Sequence, residues 1–125
     1  MSVWKDFERE VAHWFGTARN IGSGKINSND EGDPRPGDVI CKPGWGALIE
    51  CKTRKDFPKS GSYNRALATS NEAKKEKLRS WFHFERKNGS KQVYILATNG
   101  EWMERICTFI VNELDKEKDD NTSTI

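Results

Sequence analysis

Between Asp38 and Lys52 the chain passes twice through short apolar runs, Val39 to Lys42 and Gly46 to Lys52, and the break between them is Pro43-Gly44-Trp45. A three-residue loop with a glycine able to take the left-handed conformation joins two such runs as a β-hairpin. In that register Lys42 faces Gly46, Ile40 faces Leu48 and Asp38 faces Glu50. Directly opposed residues have Cβ atoms about 4.5–5.5 Å apart on one face, so two carboxylates converge at one end of the hairpin. Lys52, two residues beyond Glu50, points to the same face. The other face carries Val39, Cys41, Ala47, Ile49 and Cys51, an apolar surface on which a helix can pack.

Two acids and an ammonium gathered in this way suit the hydrolysis of a phosphodiester, which needs a divalent cation and an activated water. Hard cations such as Mg²⁺ take oxygen ligands, commonly one or two carboxylates plus waters and phosphate oxygens. The cation polarises the phosphoryl oxygen and acidifies its bound water, while a nearby ammonium orients the nucleophile and offsets developing charge. Asp38, Glu50 and Lys52 supply that set. A Glu-x-Lys on its own reads as ordinary charge on a strand's wet face. The matching Asp38, the apolar run ahead of Glu50 and the basic stretch after it favour the hydrolytic reading.

Upstream, Val3, Trp4, Phe7, Val11, Trp14 and Phe15 recur at helical spacing, predicting an amphipathic helix over residues 3–15 with Ser2 as its cap. Glu8 falls on one edge of the apolar stripe, beside Trp4 and Phe15, and Glu10 on the other. A carboxylate there needs a partner, because burying an unpaired charge is costly; a rim pairing with a lysine is the plain reading of Glu8. Residues 26–36 are a long polar loop whose Asp30, Glu31 and Asp33 read as solvated charge. Residues 56–63 are a connector. Thr69 and Glu72 have capping-box spacing, predicting a helix from there to about Lys87 with Leu78, Trp81 and Phe82 toward the core. Gln92 to Thr98 reads as a buried strand, so a βαβ crossover from the Glu50 strand predicts a parallel pair in a mixed sheet. Met103, Ile106, Cys107, Ile110, Val111 and Leu114 favour a helix for the stretch after Asn99-Gly100, although that dipeptide is also a hairpin signal.

The chain of 125 residues is expected to be one domain over 1–114 with a frayed tail over 115–125. Its net charge of +2 hides an asymmetry: residues 52–91 hold twelve Lys or Arg against four Asp or Glu. Such a basic stretch beside an acidic centre fits a surface that tracks phosphates. Arg54 and Lys55 leave the Glu50 strand directly and are the first candidates for phosphate contact, with Lys59 next along the chain. Cys41, Cys51 and Cys107 are odd in number and lack metal-site spacing, so reduced thiols and a cytoplasmic setting are expected. His13 and His83 are not spaced for zinc, and Trp81, Phe82 and Phe84 read as core rather than base-stacking residues. The apolar runs fall short of the ~20 residues of a membrane span, and no signal peptide is expected.

Pro36-Gly37-Asp38 followed by Leu48-Ile49-Glu50-Cys51-Lys52-Thr53-Arg54-Lys55 resembles the PD-(D/E)xK nuclease superfamily, and within it the small archaeal and viral Holliday junction resolvases. The resemblance extends to Glu8-Arg9-Glu10 and to Arg19 with the Gly-Ser loop that reaches Lys25. It implies a restriction-endonuclease-like fold: α/β, with a mixed central β-sheet flanked by α-helices. It implies a metal centre of Asp38, Glu50, the Cys51 carbonyl and Glu8, with Lys52 positioning the attacking water. The cofactor would be Mg²⁺, with Mn²⁺ able to substitute. Arg19, Ser23 and Lys25 would contact the DNA backbone beside Arg54, Lys55 and Lys59. The implied enzyme is a homodimeric endonuclease of four-way DNA junctions in an archaeal, bacterial or virus-infected cell. The alternatives are a restriction or repair nuclease of linear or flapped DNA, and a DNA-binding module without catalysis.

Overall fold

In a computed structural model of the chain, residues 3–21, 36–56 and 61–123 are described, with side chains to residue 118. The elements run α1 (Val3–Trp14), β1 (Ala47–Arg54), α2 (Ser62–Lys75), β2 (Ser80–Lys87), β3 (Ile95–Thr98) and α3 (Gly100–Ser123). Among the described residues the strands form one sheet of order β1-β2-β3, with β1 parallel to β2 and β3 antiparallel to it. This is a small α/β architecture with a mixed sheet, as the sequence predicts. No helix among the described residues is long and apolar enough to cross a membrane.

The first helix forms where its apolar period places it. Phe7, Val11 and Ala12 are buried and join Val39, Ile49, Phe82 and Phe84 in one core cluster between α1 and the sheet. Phe15, just past the helix, meets Phe82 and Phe84 at ring separations of 5.8 and 5.9 Å. Glu10 is held on the outer edge of the helix by Arg86, 2.5 Å away, and by the Tyr94 hydroxyl.

The predicted hairpin does not form as a continuous ladder. The turn itself is present: Trp45 N–H donates to the Lys42 carbonyl, and Gly44 takes the left-handed conformation after Pro43, the pattern of a type II turn. Beyond it, however, the segment before the turn pairs with the chain after α1. Val39 bridges Arg19 in antiparallel sense, Asn20 N–H donates to the Asp38 carbonyl, and Ile40 N–H donates to the Ala18 carbonyl. What fastens this segment to β1 is Asp38, whose N–H donates to the Ile49 carbonyl. Competition for the same backbone groups decides the outcome, since the partners at 18–20 take up the N–H and C=O groups that a hairpin would use.

The second half of the chain departs further. The helix predicted from Thr69 to about Lys87 instead begins at Ser62 and stops at Lys75, and residues 80–87 are the central strand β2. Thr69 is therefore inside α2, where its hydroxyl bonds the Arg65 carbonyl and His83, rather than capping its start. Leu78 N–H donates to the Ala73 carbonyl and Lys77 N–H to that of Lys74, with Lys77 at φ 58°. These are the two bonds of a Schellman ending. Past that stop, Trp81, Phe82 and Phe84 are aromatic residues suited to a buried strand. The crossover from β1 thus returns at β2, and the parallel pair is β1 with β2. The strand predicted at 92–98 shortens to β3 and runs antiparallel to β2. The helix predicted after Gly100 forms and continues through Ser123, past residue 115 where the tail was expected to start.

Gly37 shows how tightly the Asp38 segment lies on β1. At φ 96° it would place a Cβ 3.0 Å from both the Ile49 carbonyl oxygen and Leu48 Cδ1, whereas a Cβ on Gly44 meets nothing within 4 Å. Both Gly37→Ala and Gly44→Ala should cost about 1–2 kcal/mol for the left-handed backbone, and Gly37→Ala a further ~1–3 kcal/mol of overpacking. Urea unfolding of the two variants measures that difference.

Candidate active site

The predicted acids do meet, although by a different route from the hairpin ladder. Asp38 carries its N–H to Ile49 and accepts the Cys51 N–H on Oδ2 at 2.8 Å, so it spans the two neighbours of Glu50 along the outer edge of β1. Its carboxyl is hydrogen-bonded to that of Glu50. Glu8 reaches the same region from α1, nearly fully buried, with Oε1 accepting from Arg19 Nε at 2.7 Å. The partner that burial demands of Glu8 is this arginine, not a lysine. Lys52 follows Glu50 on β1, exposed, and these two line a hollow of about 260 Å³, whereas Glu8 and Asp38 line a second hollow.

The electrostatics of this group are dominated by burial and by carboxyls set near one another. Burial pushes the Glu50 carboxyl up to about 9, helped by its hydrogen bond to Asp38 and by the charges of Asp38, Glu72 and Glu8. Glu8 is also raised, by burial first and by Asp38, against the lowering influence of Arg19. Burial likewise raises the Cys51 thiol, and the charges of Asp38, Glu8 and Glu50 add to it, which keeps it protonated. Glu50 therefore holds its proton more tightly than an exposed carboxyl does.

Glu72 and His83 escape the sequence prediction. Glu72 reads as half of a capping box, and His83 as part of the same helix; the structure puts Glu72 on α2 and His83 on β2, where both line the hollow with Glu50 and Lys52. His83 is the register partner of Glu50 across the parallel pair. It is buried, with Nδ1 2.8 Å from Thr69 Oγ1 and Nε2 2.7 Å from Glu85 Oε2. Only knowledge that residues 80–87 form a strand would have brought it to Glu50.

The predicted DNA-contacting residues divide. Arg19 is at the site, paired with Glu8 and set over the Trp4 ring, and it borders a hollow of about 410 Å³ with Lys5 and Asp38. Arg54 and Lys55 are exposed where β1 ends. Ser23, Lys25 and Lys59 lie outside the described residues, as do Asp30, Glu31 and Asp33. Arg65, which the sequence places in the basic stretch, turns inward and holds Glu85 through Nε and Nη2, each 2.7 Å away. Burial works against the Glu85 charge, but hydrogen bonds from Arg65, His83 and Ser62 outweigh it and bring the carboxyl down to about 2.

Among the described residues no three His, Cys, Asp or Glu side chains stand together as a ligand cage. A hard cation does not require one, since two carboxylates, a carbonyl and waters suffice. A strand residue points its N–H and C=O to the same edge, so Cys51, whose N–H meets Asp38, presents its carbonyl there too. The donor set therefore fits Mg²⁺: Asp38, Glu50 and the Cys51 carbonyl, with Glu8 behind them.

The raised Glu50 carboxyl fixes the sign of a pH effect. In the unfolded chain this group ionises near 4.5 and in the native chain near 9, so between those values the native state binds the additional proton and stability falls as pH rises. Melting temperatures of the metal-free protein from pH 5 to 9 should show that decline, and Glu50→Gln should flatten it. An equally steep decline in the variant would remove Glu50 as its source. No protein-family model, curated protein or solved structure matches the chain.

Proposed function

We propose that this protein is a divalent-metal-dependent DNA endonuclease of restriction-endonuclease-like fold, acting on branched DNA of the four-way junction type. The observation that carries the reading is the contact between Asp38 and Glu50, whose own carboxyl is raised by burial and by that contact, with Lys52 two residues further along the same strand as Glu50. Acids held in mutual contact at such a cost are more often functional than structural. The mixed sheet and the β1-α2-β2 crossover support the fold assignment.

Each residue then has a distinct task. Asp38 and Glu50 bind Mg²⁺, or Mn²⁺ in its place, together with the Cys51 carbonyl. The cation supplies a polarised phosphoryl oxygen and a water acidic enough to attack. Glu8, fixed by Arg19, adds negative charge behind the pair and orients water. Lys52 positions the nucleophile and offsets charge as the phosphorane forms. Arg54 and Lys55 hold the backbone on either side of the cut, because phosphate contacts set register without reading sequence. The preference for four-way junctions comes from the resemblance to junction resolvases.

Lys52→Ala and Asp38→Asn should each lower the Mg²⁺-dependent cleavage rate by about 10²-fold or more while leaving DNA binding in EDTA within a few-fold of the parent. Variants that cut as well as the parent would exclude the proposed centre, and binding without any metal-dependent product in the parent would make the chain a DNA-binding module. Equal cutting of linear, flapped and four-way substrates would reassign the enzyme to another branch of nuclease chemistry.

A further inference from the structure

Trp4 belongs to the apolar stripe of α1, yet the core cluster takes Phe7, Val11 and Ala12 from that helix and leaves Trp4 out, 48 % exposed. Trp14, at the other end of the helix, is 50 % exposed, but its ring meets those of Phe84 and Tyr94 at 6.1 and 5.3 Å. Among the described residues the ring of Trp4 is met by cations instead. Lys5 Nζ stands 5.2 Å from its centre and the Arg19 guanidinium carbon 5.5 Å.

A single exposed tryptophan carries no message. This one borders a hollow of about 410 Å³, together with Lys5, Glu8, Arg19, Asn20, Ile21 and Asp38. That volume is within the range of about 300–1,000 Å³ typical of sites for small organic groups. Trp4 and the exposed Ile21 make its rim apolar, Lys5 and Arg19 supply positive charge, and Glu8 and Asp38 connect it to the proposed metal centre. An aromatic face for the base and cations for the backbone are the two elements by which proteins hold a single strand. In an intact duplex the faces of each base are covered by its neighbours, so an indole reaches a base only after that base has left the stack. Freeing a base costs least where it is already unpaired, which is a source of selectivity.

We propose that the hollow beside Trp4 is a subsite for one unstacked nucleotide of the strand being cut, with its base laid on the indole and its phosphate drawn toward Lys5. The inference rests on the nuclease reading, because the DNA of that reading supplies the nucleotide. It adds a reason for selectivity that lies in this chain's own residues: cutting favours a strand that is locally open, and base identity matters little, since every base has a π-face. Trp4 is on this account a specificity-determining residue, and the acids of the metal centre remain the catalytic ones.

Binding of single-stranded, four-way and linear duplex DNA by the full chain in EDTA tests the subsite apart from cutting. Trp4→Ala should lower affinity for the first two by about 5-fold or more and leave that for the linear duplex within about 2-fold, from the usual strength of base stacking on an aromatic side chain. Trp4→Phe, which keeps an aromatic face, should retain most of the affinity. Irradiation of the parent with a strand carrying 5-iododeoxyuridine should cross-link the base to the peptide that contains Trp4. Both variants should keep the parent's melting temperature, because Trp4 lies outside the core cluster. A Trp4→Ala protein that binds all three DNAs as the parent does, one that loses affinity equally for all three, or a cross-link confined to other peptides would overturn the subsite and leave the nuclease reading standing. A deoxynucleoside monophosphate that displaces the strand at equal concentration would assign the hollow to free nucleotides instead. A parent that binds none of the three DNAs would remove the subsite and the nuclease reading together.

Discussion

The structure depends on what one aspartate does at the free edge of β1. Asp38 uses its N–H on Ile49 and its carboxylate on the Cys51 N–H, so a single residue occupies two consecutive outward backbone groups of an edge strand. An edge left open is a template for pairing with other chains; here it is covered by a segment that is itself tied to the end of α1 through Val39 and Arg19. The same contact decides where charge goes. Because the side chain must reach the Cys51 N–H, it comes to rest against Glu50, and the Arg19 that bridges Val39 also holds Glu8. Folding the segment onto the strand and bringing Asp38 to Glu50 are one event.

Two carboxyl groups, one on β1 and one on β2, show how differently such a site can be resolved. Glu85 is surrounded by donors from Arg65, His83 and Ser62, which outweigh burial and bring it to about 2. That network joins α2 to β2 and needs nothing else to be stable. Glu50 is half-buried, its charged neighbours include Asp38, Glu72 and Glu8, and it is pushed to about 9. Neutralising it with an internal cation was available to the fold, since an arginine sits on the adjacent helix turn. The arginine goes to Glu85 instead. The guanidinium of Arg65 thus settles the charge of Glu85, while burial and the carboxyls around it set that of Glu50.

Much of the site was legible from local chemistry. The helical period of Phe7, Val11 and Ala12 sets the face on which Glu8 lies, and a type II turn at Pro43-Gly44 is signalled by composition alone. The meeting of Asp38 and Glu50 was expected from a hairpin ladder, and the structure reaches it through the bonds of Asp38 to Ile49 and Cys51 instead. The contribution of β2 was not legible. Ala73, Leu78, Trp81, Phe82 and Glu85 fit a helical period over the same residues that form a Schellman stop and a buried strand, and short apolar runs do not distinguish the two by periodicity. The strand is selected by its place between β1 and β3, a tertiary fact. Glu72 and His83, whose positions depend on that selection, could not have been placed beside Glu50 from the sequence.

The charge asymmetry along the chain also changes meaning once folded. Of the cations in residues 52–91, Arg65 and Arg86 are both committed to carboxyls: the first, half-buried where it borders the hollow of Glu50, holds Glu85, and the second, 3 % exposed, lies 2.5 Å from Glu10 and over the Phe7 ring. Among the described residues those that remain outward are Lys52, Arg54 and Lys55 along and just past β1, Lys74, Lys75, Lys77 and Arg79 around the end of α2, and Lys87 and Lys91 at and beyond the end of β2. The acidic surplus is carried largely by α3, which is rooted on the sheet at Ser80 and Phe82. Of the outward cations Lys52 lines the hollow of Glu50, with Arg54 and Lys55 following it along the chain, while α3 carries the opposite charge.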